Sequence, residues 1–275
     1  MRHVLVRVDF FSPYSSVQYF SEHGRGPPLP PPSTLIGALA AAIYYPVERE
    51  VEPGFVSKFK YVTFWAAPYF TVENISRHFT VYSQRKKRIE VLGAAMKIAT
   101  TGTADDEERK VLKNYGNIDN IDKYLEKGVE AAARAAVQTL TSPATRLETY
   151  FSDSCYVLYI LDDDLAAPAG GIFRIGPKEA LVAATPLEAK VERLNAREVE
   201  TRFYFPAEAA DAVGCQRAWM YEKPPSDPSK EPPKAYCIPH PGGNIRAEPR
   251  EGWASVVVKT SDIELPALLP EYVAP

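Results

Sequence analysis

The feature that most constrains the fold is an apolar segment, Leu35–Tyr45, bounded by proline on both sides. Positions 27–32 hold five prolines, and Pro46 follows the segment directly. The segment holds four alanines and one glycine, so it predicts a slim helix that is apolar nearly all round, with Ser33 and Thr34 as candidate N-cap residues. A membrane span needs roughly 20 apolar residues, so this one is too short. It therefore predicts a core helix packed closely on a sheet.

Strands on either side of this helix supply the sheet. Residues 3–10 alternate, with Val4, Val6 and Val8 on one face, which predicts a half-buried strand. Aromatic and β-branched residues predict three further strands, and these lie at Phe55–Phe70, Thr149–Leu161 and Trp253–Lys259. The segments between them are interpreted as a strand pair over Phe79–Lys97 and as helices over Asp105–Tyr115 and Asp119–Leu140.

The order strand, helix, strand, long insertion, strand predicts an α+β fold. It matches the first part of a β-α-β-β-α-β ferredoxin-like unit. The second helix of such a unit is expected to be short and irregular, near residues 164–171, because no longer helical pattern occurs there.

Composition excludes several classes of protein. The chain is 11% aromatic and has a net charge of −3, as expected for a globular protein rather than a disordered one. Three scattered cysteines, Cys155, Cys215 and Cys237, predict a reducing cytoplasmic setting without disulfides. No signal peptide is apparent, and neither C-x-x-C spacing nor a glycine-rich nucleotide loop occurs, so no membrane, metal or cofactor is expected.

A basic cluster is the first candidate site. Residues 77–97 hold six cations and one carboxylate, and four of the cations are adjacent: Arg85, Lys86, Lys87 and Arg88. Adjacent cations repel one another unless an anion lies nearby, and phosphate is the obvious anion. The alternative is a solvated hairpin tip whose charges protect a strand edge. The sequence leaves both hypotheses open.

Two loops are further candidates. In Phe173–Glu179, Gly176 lies between Arg174 and Lys178, so backbone N–H groups and two cations could hold a phosphate. The alternative is a tight turn with two surface charges. The loop Ser12–Gly26 carries aromatic residues and Arg25, and its Tyr14 could stack on a base or pack beneath the loop.

An enzymatic function would need an acid–base pair. His23, His78 or His240 could act as a general base in RNA cleavage by the 2′-hydroxyl, with Tyr or Lys as its partner. A single histidine in a loop is more often a surface residue. The acidic turn Asp162–Asp164 could bind a cation, although such turns are common after strands.

Several segments together resemble one known family. Pro30–Leu39, with the sequence PPPSTLIGAL, resembles the "P-P-S-T-x-x-G-x-L" helix start of CRISPR-associated (Cas) protein family 5, in the archaeal type I-A branch. The preceding loop, the strand Leu147–Tyr159 and the segment Arg174–Leu181 fall where that family has corresponding pieces. The resemblance covers about the first 190 residues.

The resemblance implies a ferredoxin-like (RRM-like) domain over 1–190, with an inserted β-hairpin "thumb" over about 70–143, here enlarged by helices. A β-rich region over 191–275, with a Pro-rich loop at 224–233, would follow. It further implies a subunit of the type I surveillance complex, Cascade, that grips the 5′ repeat-derived handle of the CRISPR RNA. Its protein partners would be the backbone subunit of Cas family 7 and the large subunit.

The resemblance also suggests which residues meet RNA and whether the chain cuts it. Arg174, Gly176 and Lys178 are expected RNA contacts by motif, whereas Tyr14, Arg25 and Arg85–Arg88 are carried over by region alone. The type I-C branch is a metal-independent endoribonuclease that uses Tyr, Lys and His. Neither Lys86 nor Lys87 is followed by His here. The sequence therefore predicts a non-catalytic RNA-binding subunit, with endoribonuclease or purely structural partner as the alternatives.

Overall fold

The chain divides into two compact units. The first comprises residues 1–74 and 146–275, and the second is the inserted segment 75–145. Residues 191–275, which the sequence sets apart as a separate region, thus lie in the same unit as the N-terminal strands. The computed structural model describes residues 1–16, 26–45, 50–79, 85–116, 118, 120–162, 165–177, 179–225 and 231–275.

The elements follow one another in four groups. The first group is β1 (Arg2–Phe10), β2 (Tyr14–Ser16), α1 (Pro32–Tyr44), β3 (Phe59–Trp65) and β4 (Tyr69–Phe79). The second group consists of helices: α2 (Arg85–Thr101), α3 (Asp106–Gly116), α4 (Asp122–Leu125) and α5 (Val129–Leu140). The third group is β5 (Thr141–Phe151), β6 (Cys155–Leu161), α6 (Ala166–Ala169) and β7 (Val182–Leu187). The last group consists of strands: β8 (Lys190–Arg193), β9 (Val199–Thr201), β10 (Phe205–Pro206), β11 (Ala210–Val213), β12 (Cys215–Met220), β13 (Lys234–Pro239), β14 (Ile245–Pro249), β15 (Trp253–Lys259) and β16 (Glu264–Pro270).

Mixed α and β structure, with more strand than helix, is built from several small antiparallel sheets. The central one has the strand order β3-β6-β1-β7. Every neighbouring pair in it is antiparallel, and Val6 of β1 lies opposite Val157 of β6 and Pro186 of β7. The short helix expected near residues 164–171 is present as the single turn α6 between β6 and β7.

The side chains of β1 alternate between two cores, one on each face of this sheet. Val4, Val6 and Val8 are buried on the face that α1 covers, together with Leu35. Leu5 is buried on the opposite face, where the C-terminal sheet of order β16-β15-β8 packs. Both faces of the central sheet are therefore covered within the first unit.

The proline-rich entry to α1 is fixed by hydroxyl groups. Thr149 Oγ1 donates a hydrogen bond to the Pro28 carbonyl over 2.6 Å, and Tyr204 Oη donates one to the Pro30 carbonyl over 2.9 Å. Tyr159 Oη donates to the Leu35 carbonyl over 3.0 Å. Burial raises the pKa of Tyr159 and Tyr204, so both stay neutral donors. Hydroxyl groups from distant parts of the chain thus satisfy carbonyls of the proline-rich segment, which has few N–H groups of its own, and of the start of α1.

The start of α1 differs from the prediction. The helix begins at Pro32, with Pro31 as its N-cap and no side-chain cap, so Ser33 and Thr34 lie inside the first turn. The Pro31 carbonyl accepts hydrogen bonds from the N–H groups of Thr34 and Leu35. Proline suits the first helical position because its φ is already fixed and its missing N–H would have had no partner.

The expectation of no disulfide is wrong. Cys215 of β12 and Cys237 of β13 form a disulfide, with a Cα–Cα distance of 5.5 Å. The two cysteines are 22 residues apart in the sequence, and this spacing does not indicate a bond. They meet because the chain folds back and β12 pairs with β13. Cys155 is a free thiol whose pKa is raised to about 12 by burial.

The inserted unit is helical where a strand pair was predicted. Phe79 is the last residue of β4, residues 80–84 are not described, and Arg85–Lys97 belong to α2. Val91, Ala94, Ala95 and Ile98 are buried at helical spacing, and they pack on α3 and α5. The strand-pair interpretation was wrong for this segment, because the residues of α2 are mostly strong helix formers.

Local contacts account for the start of α3. The Asp105 side chain accepts a hydrogen bond from the Glu108 N–H, and the Glu108 side chain accepts one from the Asp105 N–H, which is a capping box. Lys97 Nζ lies 2.7 Å from Asp105 and 2.6 Å from Glu108. The lysine therefore joins α2 to the first turn of α3.

Strand boundaries also differ from expectation. Phe55–Phe70 divides into a 3-10 turn over Phe55–Lys58, then β3 and the start of β4. Thr149–Leu161 divides into β5 and β6, whereas Trp253–Lys259 is the strand that was predicted. β4 and β5 lie side by side in a sheet of order β2-β5-β4. No helix in the described part of the chain has both the length and the apolar character to cross a bilayer.

The hydrogen bonds to the proline-rich segment predict that two buried tyrosine hydroxyls contribute differently to the free energy of unfolding. Tyr204→Phe leaves the Pro30 carbonyl without its donor, so we expect it to lower the free energy of unfolding by about 1–3 kcal/mol. Tyr236 packs edge-on against Tyr204 with ring centroids 5.5 Å apart. The Tyr236 hydroxyl is buried and has no partner among the described residues. Tyr236→Phe should therefore be neutral or stabilising in urea denaturation; equal losses for the two variants would contradict this account.

Candidate nucleic-acid interface

The segment between α6 and β7 forms a tight turn at the end of the central sheet. The Ile175 N–H donates to the Ala180 carbonyl over 3.1 Å, and the Val182 N–H donates to the Phe173 carbonyl over 2.9 Å. Arg174 lies opposite Leu181 in an isolated bridge. These bonds bring the two ends of the turn 173–181 together and leave its tip at the surface.

The end of β1 holds this turn in place. The Phe11 N–H donates to the Leu181 carbonyl over 3.0 Å. Ser12 Oγ accepts a hydrogen bond from the Leu181 N–H over 2.8 Å and donates one to the Glu179 carbonyl. The turn is thus fixed to the central sheet by backbone and hydroxyl contacts.

Gly176 at the tip has a backbone that only glycine adopts easily. Its φ is +90°, and a Cβ there would lie 3.0 Å from Tyr14 Cε2. Gly176 is exposed, and its N–H has no hydrogen-bond partner among the described residues. Tyr14 is only 3% exposed, so its ring supports the turn from below. The structure favours the packing alternative for Tyr14 over base stacking.

Arg174 lies beside two aromatic rings. Its guanidinium carbon is 5.5 Å from the centroid of Phe173 and 5.9 Å from that of Tyr45. Among the described residues, no carboxylate lies within ion-pair distance of Arg174 and no acceptor binds it. The guanidinium is therefore held in place by the rings while its N–H groups remain available for an anion.

Arg202 is an example of an arginine whose hydrogen bonds have a structural role in this fold. It is buried, and its guanidinium donates to the carbonyls of Ala66, Gly243 and Pro241. Desolvation lowers the pKa of Arg202. Half-buried Arg174 has none of these carbonyl acceptors, so fixing the local backbone does not explain its position.

Sequence reasoning missed the aromatic surroundings of Arg174. Tyr45 is 67% exposed and Phe173 is 38% exposed, while Phe11 and Leu181 are exposed on the neighbouring segments. Tyr45 was assigned to the apolar helix, yet it is the C-cap residue of α1 and lies outside the core. Its position directly before Pro46, where the helix must end, was the available signal.

The other predicted site residues lie elsewhere or outside the described chain. Lys178 and Arg25 are outside the described residues. Arg85, Lys86, Lys87 and Arg88 form the first turn of α2 in the inserted unit, so they are not at a hairpin tip.

The histidines do not form a described acid–base pair. His23 is outside the described residues, and His78 lies in β4. His240 is exposed in a turn, and its ring has no hydrogen-bond partner in the described part of the chain. Asp162 pairs with Lys60 over 2.8 Å. The described residues include no cluster of three or more His, Cys, Asp or Glu that could hold a metal ion.

Comparisons with known proteins give only distant likenesses. No family model and no curated protein matches the chain. The chain is similar to the crystal structure of a CRISPR protein from Archaeoglobus fulgidus, with 14% identity over 97% of this chain and 99% of that one, and a TM-score of 0.47. It is also similar to a chain of the type III-B Cmr-beta complex bound to cognate target RNA, with 11% identity over 88% and 86% of the two chains and a TM-score of 0.35. These values are too low to assign a function.

The geometry of the turn predicts that substitution by alanine costs more stability at Gly176 than at Gly252. Gly176→Ala forces both an unfavourable φ and a contact with the buried Tyr14 ring, so we expect it to lower the free energy of unfolding by about 2–3 kcal/mol. Gly252 also has a positive φ, +84°, but a Cβ there would meet nothing within 4 Å. Gly252→Ala should therefore cost only about 1 kcal/mol. Equal losses in denaturant unfolding would show that Tyr14 does not constrain the turn.

Proposed function

We propose that the chain is a non-catalytic RNA-binding subunit that anchors the 5′ repeat-derived handle of a CRISPR RNA in a type I-A Cascade-like complex. The observation that supports this proposal most is Arg174, which contacts two aromatic rings and has no acidic partner among the described residues. It lies near the exposed Gly176, whose N–H has no hydrogen-bond partner among the described residues. A phosphate group accepts hydrogen bonds from both kinds of donor. The turn thus has the chemistry to hold a backbone phosphate.

The topology of the first unit supports the same proposal. A ferredoxin-like (RRM-like) domain has two strand–helix–strand units in one antiparallel sheet. In this chain β1, α1 and β3 form the first such unit and β6, α6 and β7 the second, and the sheet order is β3-β6-β1-β7. RRM domains stack RNA bases on an open sheet face. Here β8, β15 and β16 bury that face. We infer that RNA binds at the end of the sheet, where the turn 173–181 lies.

The inserted unit adds a second source of positive charge. Lys86 and Lys87 lie in the first turn of α2, and the paired strands β4 and β5 lead into and out of the helical insertion. With the resemblance of Pro30–Leu39 to Cas protein family 5, this supports a thumb over about 70–143. In this proposal the thumb contacts RNA, and the family 7 backbone subunit and the large subunit are its protein partners.

The test is the affinity of the purified chain for a labelled single-stranded RNA as a function of salt concentration. We expect Arg174→Ala to weaken binding and to reduce the slope of log affinity against log salt by about 1. Lys86→Ala with Lys87→Ala should reduce the slope by about 1.4, at about 0.7 for each lost phosphate contact on a single strand. The control is Arg217→Ala, which removes another exposed arginine, on β12, and should leave the slope unchanged.

The same samples separate the alternative functions. Incubation of a labelled repeat RNA in EDTA should leave it intact, whereas a single cut at the base of its hairpin would contradict the non-catalytic proposal and favour an endoribonuclease. No measurable affinity would instead favour a purely structural subunit. If only the lysine variant changed the slope, the thumb and not the turn would be the RNA contact.

A further inference from the structure

Two exposed aromatic rings form a pair beside the turn. The centroids of Tyr45 and Phe173 are 6.0 Å apart, and their planes make an angle of 42°. Tyr45 follows α1 directly, whereas Phe173 begins the turn 173–181. Two separate parts of the first unit thus meet here to present aromatic surface to solvent.

The pair does not contribute to a core. Tyr45 is 67% exposed, and its hydroxyl has no hydrogen-bond partner among the described residues. Burying the rings against the rest of the fold would remove apolar surface from water, and the fold does not do so. An exposed aromatic group of this kind is typical of a surface that is covered by a ligand.

Arg174 orients this aromatic pair. Its guanidinium lies within 6 Å of both ring centroids, which is the range of cation–π contacts. The contact joins the half-buried Arg174 side chain to two exposed rings and so limits the movement of all three. The rings are therefore positioned before a ligand arrives, and less conformational entropy is lost on binding.

We propose that Tyr45 is a stacking site for one unpaired nucleobase, supported by Phe173, next to the phosphate held by Arg174 and the Gly176 N–H. This inference rests on the proposed function, because it names the part of the RNA that the site receives. Tyr45 is 67% exposed, so ring surface is available to a base, and stacking on an aromatic ring is tolerant of base identity. A fixed cation beside the ring favours a ligand that alternates flat apolar groups with negative charge, as a single-stranded nucleic acid does.

The experiment uses the full chain and a set of RNA oligonucleotides of the handle sequence. Each oligonucleotide carries a single abasic residue at a different position, and its affinity is compared with that of the intact RNA. We expect one position at which removal of the base weakens binding about tenfold. In Tyr45→Ala the effect at that position should vanish while the effects at other positions persist. Tyr45→Phe should behave as the unchanged protein does, because stacking does not need the hydroxyl.

The control is Trp219→Ala, which removes an aromatic side chain of similar exposure, 61%, on β12. It should leave the abasic profile unchanged. If Tyr45→Ala retained the full profile while the RNA still bound, the stacking site would be refuted and the proposed function would stand. The stacking site would also be refuted if removal of the base weakened binding equally at every position of the RNA. Failure of the unchanged chain to bind any RNA would overturn both proposals, and the aromatic pair would then be a protein contact.

Discussion

The fold depends on how the proline-rich segment before α1 is held. Proline has no N–H, so this segment cannot pair as a strand, yet its carbonyls are buried and need donors. Thr149 and Tyr204 supply donors to the Pro28 and Pro30 carbonyls, and Tyr159 donates to the Leu35 carbonyl near the start of α1. These donors hold the start of α1, whereas its other end lies at Tyr44, directly before the exposed Tyr45 and Pro46.

The C-terminal strands determine which surfaces are available for binding. Leu5, Leu158 and Ile160 of the central sheet are buried against β15 and β16. A sheet covered on both faces cannot accept bases on its surface, so its loops and strand ends carry the exposed polar and aromatic groups. Arg174 and Gly176 occupy such an end. The same packing that stabilises the first unit therefore directs the proposed RNA site to the turn 173–181.

The residue pattern of the sequence was sufficient to predict β1 from its alternation, α1 from its apolar segment between prolines, and β15 from its aromatic and β-branched residues. It was insufficient for α2, where a cluster of cations obscured the helical spacing of Val91, Ala94 and Ile98. The disulfide between Cys215 and Cys237 depends on strand adjacency, which spacing along the chain does not show. For the candidate site, Arg174 and Gly176 were found from residue type. The burial of Tyr14 and the exposure of Tyr45 arise from tertiary packing and could not be found in that way.

The central claim is that the turn 173–181 and its aromatic neighbours contact the RNA. The most direct measurement is photo-crosslinking of the full chain to an RNA containing 4-thiouridine, followed by mass spectrometry of the crosslinked peptides. The account predicts crosslinks in the peptides that contain Tyr45 and residues 173–181. Crosslinks confined to the C-terminal strands or to α3–α5, with none in those peptides, would contradict it.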